Sequence, residues 1–131
     1  MAPREGIDAL HEEALAAFAA RASDGPVFML NLLEFLPDGG AERYAEYGTA
    51  VAPIFERAGG NAVFAGRVAE SLIGDGSWDM MVLARYPTRQ AFLDMVSSPE
   101  YQEIAHLRTE ALVRSELRAT DSLDPAGFTG D

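Results

Sequence analysis

WDMMVLARYPTRQAFLDMVSSPEYQEIAHLR, residues 78–108, decides the fold, because one uninterrupted stretch holds a strand, a turn and a two-part helix. Trp78 to Tyr86 is an apolar run bounded by aromatic residues, and Pro87 ends it because proline has no N–H to give a strand ladder. From Thr88 the period changes. Ala91, Phe92, Met95 and Val96 follow the spacing of a helix with one buried stripe. Ser98-Pro99-Glu100 then stops and restarts that helix. It supplies a side-chain N-cap, a proline at a position whose N–H has no helical partner, and a carboxylate at the positive end of the dipole. On the second segment, 99 to about 108, Tyr101, Ile104, Ala105 and Arg108 share one face.

Upstream, residues 61–73 read as another strand, and the Asp75-Gly76 pair within 74–77 signals a hairpin into 78–86. Gly66, Arg67 and Glu70 make this the more polar strand and place it at an edge. Before it, Tyr44, Tyr47, Val51, Ile54, Phe55 and Ala58 form the stripe of a helix over 41–58. Pro53 predicts a kink or a helix start near Ala52, and one of Gly59 and Gly60 suits the left-handed position that ends a helix. Residues 27–35, VFMLNLLEF, are apolar on both parities between Gly25-Pro26 and the Pro37-Asp38-Gly39-Gly40 turn, which describes a central strand covered on both faces. Asn31 breaks that run. A buried amide must find partners, so Asn31 is either tied into a local network or turned toward a ligand. Earlier still, Ile7, Leu10, Ala14, Leu15 and Phe18 mark an amphipathic helix over 7–22. At the other end 111–120 alternates, with Val113, Ser115, Leu117 and Ala119 as the buried face of a last strand; continuation of the helix from 99 competes on propensity.

After the N-terminal helix, the order is β-α-β-β-α-β, the ferredoxin-like split unit of an α+β fold. Right-handed crossovers place the third and fourth strands on either side of the first, so the four-stranded sheet is antiparallel and both helices cover one face. Two strands apolar on both parities would leave the other face oily, which points to a homodimer through the open sheet face. The expected division is a helical extension over 1–25, the ferredoxin-like domain over 26–120 and a mobile tail over 121–131.

The 131 residues, 48% of them hydrophobic, suffice for one domain with its own core. A net charge of −11 with ten scattered Lys and Arg argues against nucleic acid, which needs clustered cations for its phosphates. No run approaches the roughly 20 apolar residues of a membrane span, and cysteine is absent. A soluble cytoplasmic protein is expected.

Gly59-Gly60, Gly76-x-Trp78, the strand end Tyr86-Pro87-Thr88 with Phe92, and S-P-E-Y-Q at 98–102 followed by Arg108 resemble the domain-of-unknown-function family numbered 1330. The resemblance covers about residues 26–120. It implies a ferredoxin-like fold and a homodimer whose two sheets face each other, that is, a dimeric α/β barrel. It implies no settled activity, and the helix over 7–22 lies outside the family's minimal form. Related branches include cofactor-free monooxygenases, haem-degrading enzymes and stress-responsive proteins.

There is no Gly-rich phosphate loop, metal signature or nucleophile elbow in the sequence, and two histidines are too few for a histidine-rich metal site. His11 sits among glutamates. His106, near the end of its helix, suits a general base if it points at the sheet, or a helix C-terminal cation if it does not. Asn31, Tyr44, Tyr47, Trp78 and Tyr86 can line a small pocket with His106 or Arg108 at its mouth, a setting for a small apolar or aromatic acid. Three readings follow. The first is a homodimer binding a small organic molecule between sheet and helices. The second is a cofactor-independent monooxygenase- or isomerase-like enzyme acting on a small organic acid or aromatic compound, with His106 as base and Asn31, Tyr47 or Arg85 orienting an oxyanion. The third is haem binding through His106. No metal or cofactor is expected on the first two.

Overall fold

In the computed structural model, residues 11–123 are described, and they form α1 (Glu12–Ala20), β1 (Val27–Phe35), α2 (Gly40–Arg57), β2 (Asn61–Arg67), β3 (Met80–Tyr86), α3 (Arg89–Ser97), α4 (Pro99–Thr109) and β4 (Leu112–Thr120). β1 is central, with β3 and β4 antiparallel on its two sides and β2 outside β3, giving the order β2-β3-β1-β4. This is the antiparallel ferredoxin-like sheet that the order of elements implied. The competing helix over 111–120 does not form: α4 ends at Thr109, and β4 joins β1 from Leu112.

Each switch between elements has a visible cause. The Thr88 side chain accepts a hydrogen bond from the Ala91 N–H at 3.1 Å, and the Ser98 side chain accepts one from Tyr101 at 3.2 Å. Two orphan donors at helix starts are thereby satisfied, with Pro99 in the first turn of α4. After α2, Gly59 takes φ 82, the left-handed geometry expected at that position.

Three expectations change. Helix α1 spans Glu12–Ala20 rather than 7–22, and Ile7 and Leu10 lie outside the described residues, as does 124–131 of the tail. Pro53 does not start a helix near Ala52: α2 runs through it, and both Pro53 and Thr49 are exposed, so the carbonyl four residues back that proline cannot serve can reach water. The Asp75-Gly76 hairpin turn does not form either. β2 ends at Arg67 and β3 begins at Met80; Val68 donates to the Asp79 carbonyl at 3.0 Å, and residues 69–78 leave the ladder with Leu72 and Ile73 91% and 97% exposed.

The core lies on one face only. Val27, Met29 and Leu33 of β1 are buried with Ala84 and Tyr86 of β3, Phe92 and Met95 of α3, and Phe18 of α1. Phe28, Leu30 and Leu32 point to the other side, where this chain places no helix, and they are half-buried. β1 is therefore central in the sheet but not covered twice by its own chain. Val113, at the irregular start of β4, and Leu117 are each 37% exposed, because β4 is an edge strand that the helices reach incompletely.

Candidate functional site

On the covered face Asn31 lies between Val82 of β3 and Leu117 of β4 in the sheet register. It is the polar intrusion in the buried parity of β1. Its amide donates to the Met29 carbonyl at 3.4 Å, and its carbonyl oxygen accepts from Arg108 Nη2 at 3.3 Å. Arg108 reaches it because Tyr101, Ile104, Ala105 and Arg108 form the half-buried face of α4, as their spacing implied.

The same guanidinium lies within electrostatic range of the Tyr44 hydroxyl, which α2 brings in. One turn later on α2, Tyr47 shares a hydrogen bond of 3.0 Å with Tyr101 of α4. Ring centroids run Phe35–Tyr44 at 5.5 Å, Tyr44–Tyr47 at 5.4 Å and Tyr47–Tyr101 at 6.3 Å, a continuous aromatic wall in tilted and edge-on contacts. Tyr86, 6% exposed, enters from β3 with its ring between Phe55 and Phe92 at 5.3 Å each. Its hydroxyl has no hydrogen-bond partner among the described residues, yet it is within electrostatic range of Tyr101, Tyr44 and Arg108. All four tyrosines of the chain therefore gather around one arginine.

Burial raises the phenol pKa of Tyr44, Tyr47 and Tyr86 above the ordinary value. At all three the neighbouring phenols add to the rise, while Arg108 opposes it. These phenols are accordingly neutral near pH 7 and can donate hydrogen bonds.

The model of a domain of unknown function, DUF1330, matches residues 39–118. The chain belongs to this family. A protein of unknown function from Rhodopseudomonas palustris is 38% identical with a TM-score of 0.83, the match covering 92% of this chain and 99% of that one. More distant likenesses share the fold. They include a dimeric ferredoxin-like protein of unknown function from Jannaschia sp. CCS1, at 11% identity and TM-score 0.63 over 75% of this chain and 100% of that one. Another is a dimeric protein of ferredoxin-like fold from Bacteroides fragilis, at 10% identity and TM-score 0.55 over 76% and 98%. A comparison with curated proteins found no match.

In this DUF1330 protein, Asn31, Tyr44, Tyr47, Tyr86 and Arg108 of the expected site residues come together. The other three do not. His106 is exposed, because two residues before Arg108 it sits about 200° around the helix from the face turned to the sheet. Arg85 alternates with buried Ala84 and Tyr86 and so stands on the opposite face of the sheet, beside Phe28. Trp78 precedes β3 and lies under the Arg114 guanidinium at 4.0 Å, near the Glu34 carboxylate that Arg114 also binds at 2.8 Å. The enzymatic arrangement with His106 as base therefore lacks its geometry, and so does haem ligation by His106 on the side of α4 turned to the sheet. Tyr101 is the member sequence reading left out of the site, although its place on the inward stripe of α4 with Arg108 was the available signal.

Two recesses lie elsewhere: one of about 420 Å³ beside Phe64, Leu72 and Met81, and one of about 350 Å³ between α2 and the α3–α4 junction, lined by Ile54, Ala91 and Met95. Among the described residues no cluster of three or more His, Cys, Asp or Glu is placed to hold a metal ion, and no helix is long and apolar enough to cross a membrane.

Proposed function

We propose that this DUF1330 protein is a cytosolic homodimer that binds a small organic molecule on the covered side of its sheet, between β1 and helices α2 and α4. The observation that carries the reading is the convergence of Asn31, Arg108 and the four tyrosines from four elements, β1, β3, α2 and α4, onto one patch of an otherwise apolar layer. Buried polar groups are expensive where apolar packing would serve, and sites that orient small ligands combine aromatic walls with a few convergent polar groups. The dimer follows from the other face. Phe28, Leu30 and Leu32 of β1 and Met81 and Leu83 of β3 form a half-buried apolar surface, extended by Phe64 of β2 at 55% exposure.

A library of neutral and charged fragments titrated into the isotope-labelled protein tests the ligand. Expected hits shift resonances of Asn31, Tyr44, Tyr47 and Arg108. Hits confined to the recess beside Phe64, or no hits, would reject the site.

A further inference from the structure

The hydrogen-bonding groups around Arg108 are unevenly supplied. Four phenol hydroxyls and a guanidinium bring donors to the patch, and the Asn31 carbonyl oxygen accepts one of them. Only one proton is used within the Tyr47–Tyr101 bond, so one hydroxyl of that pair has a donor to spare. The Tyr86 hydroxyl, on a residue 6% exposed, has no hydrogen-bond partner among the described residues. A buried donor without an acceptor is costly, and the simplest remedy is an acceptor from outside the chain.

Charge points the same way. The chain carries 21 acidic residues against ten basic ones. Arg21, Arg43, Arg57, Arg89, Arg114 and Arg118 each have a carboxylate within 4.0 Å. Arg108 has none among the described residues and is held by the neutral Asn31 amide at 3.3 Å, with the Tyr44 phenol within electrostatic range and the negative end of α4 nearby. Arg67 and Arg85 are also without a carboxylate, but Arg67 is exposed and Arg85 is on the open face. No acidic residue appears among the charges that act on Tyr44, Tyr47 and Tyr86. In so acidic a protein, a half-buried arginine ringed by phenols and free of carboxylates is a place kept for an anion from outside.

We infer that the ligand is a small monocarboxylate with a flat or apolar body, its oxygens taking hydrogen bonds from Arg108 and the tyrosine hydroxyls and its body lying on the Phe35–Tyr44–Tyr47 wall. One guanidinium balances one negative charge, and its planar edge fits a carboxylate. The wall matches an aromatic or short aliphatic body. The inference rests on the small-molecule reading above and adds the charge and donor pattern of the ligand.

The full-length protein is titrated with benzoate and hexanoate and, in parallel, with benzamide and hexanamide, following site resonances and heat. The acids should bind at least about tenfold more tightly than their amides, and added salt should weaken them. Tyr86→Phe removes only a hydroxyl and keeps the ring between Phe55 and Phe92; it should weaken the acids about tenfold and the amides, whose neutral carbonyl accepts a weaker bond, by clearly less. Arg108→Gln should abolish the preference for acids, with circular dichroism checking the fold. Equal binding of acids and amides at these residues would overturn the carboxylate and leave the small-molecule site standing. Absence of binding by all four would overturn both.

Discussion

The two faces of this sheet are unfinished in opposite ways. The helix-covered face is packed with Val27, Met29, Leu33, Ala84 and Tyr86, yet holds Arg108, a positive charge that the described residues do not neutralise. The open face has its charges paired along the β4 side, Arg114 with Glu34 at 2.8 Å and Arg118 with Glu116 at 3.0 Å, yet leaves Leu30, Leu32, Met81, Leu83 and Phe64 without cover. One face lacks an anion and the other lacks a surface. The remedies differ accordingly, a small molecule for the first and a second copy for the second, and the two should fail independently.

Mutations on neighbouring residues of β1 break this comparison most sharply. Leu33, 0% exposed on the covered face, should cost about 2–5 kcal/mol of stability on change to alanine, the largest effect expected, because a cavity is left in a core that cannot collapse. Thermal or denaturant unfolding measures it, and self-association measured under native conditions should be unchanged. Leu32→Asp, one residue away on the open face, should do the reverse. A carboxylate pressed into an apolar interface should weaken association by about 100-fold or more, while a protomer that already leaves Leu32 half-buried keeps its fold. Sedimentation at micromolar concentration decides. A wild-type monomer, or a Leu32→Asp variant associating as before, would remove the open face as the dimer contact.

That contrast also explains what sequence made legible. Strand order, helix starts at Thr88 and Ser98 and the left-handed Gly59 follow from local chemistry, since proline, hydroxyl caps and glycine act within one turn of themselves. Asn31 was visible as a polar break in an apolar run, and Arg108 as the last member of a helical stripe. Their meeting across 77 positions of sequence depends on the sheet register and on α4 crossing β1. His106 and Arg85 misled for the complementary reason. Each is a residue type suited to catalysis, and only the rotation of a helix or the parity of a strand decides that it faces away. The excursion over 69–78 escaped because the Asp-Gly signal is local, whereas the end of the ladder is set by Asp79, whose N–H donates to the Leu33 carbonyl at 2.8 Å and whose carboxylate accepts from the Phe35 N–H at 2.8 Å.

The smallest expected effect asks whether α1 belongs to the covering layer. Phe18 packs edge-on to Phe92 at 5.5 Å, and the guanidinium of buried Arg89 lies 4.7 Å over the Phe18 ring. Asp121, just past β4, joins this corner by accepting from Arg21 at 2.9 Å and from Arg89 at 3.2 Å. Its hydrogen bond from Arg21, with a further one from Arg89, holds its pKa below the ordinary carboxylate value of 3.8. A folded-state pKa below the unfolded one means that the pairing stabilises fully above the unfolded value and is lost as pH falls through the folded one. Wild type should therefore melt above Asp121→Asn at pH 7, and the gap should begin to close as pH falls below about 4 and vanish once the folded carboxylate is protonated. Asp121 is exposed, so the gap should be small and should shrink in high salt. A gap that stays constant across this range would mean that the asparagine acts by repacking rather than by charge. No gap at pH 7 would mean that Phe18 and the cation over its ring are sufficient to hold α1 on the sheet's covered side.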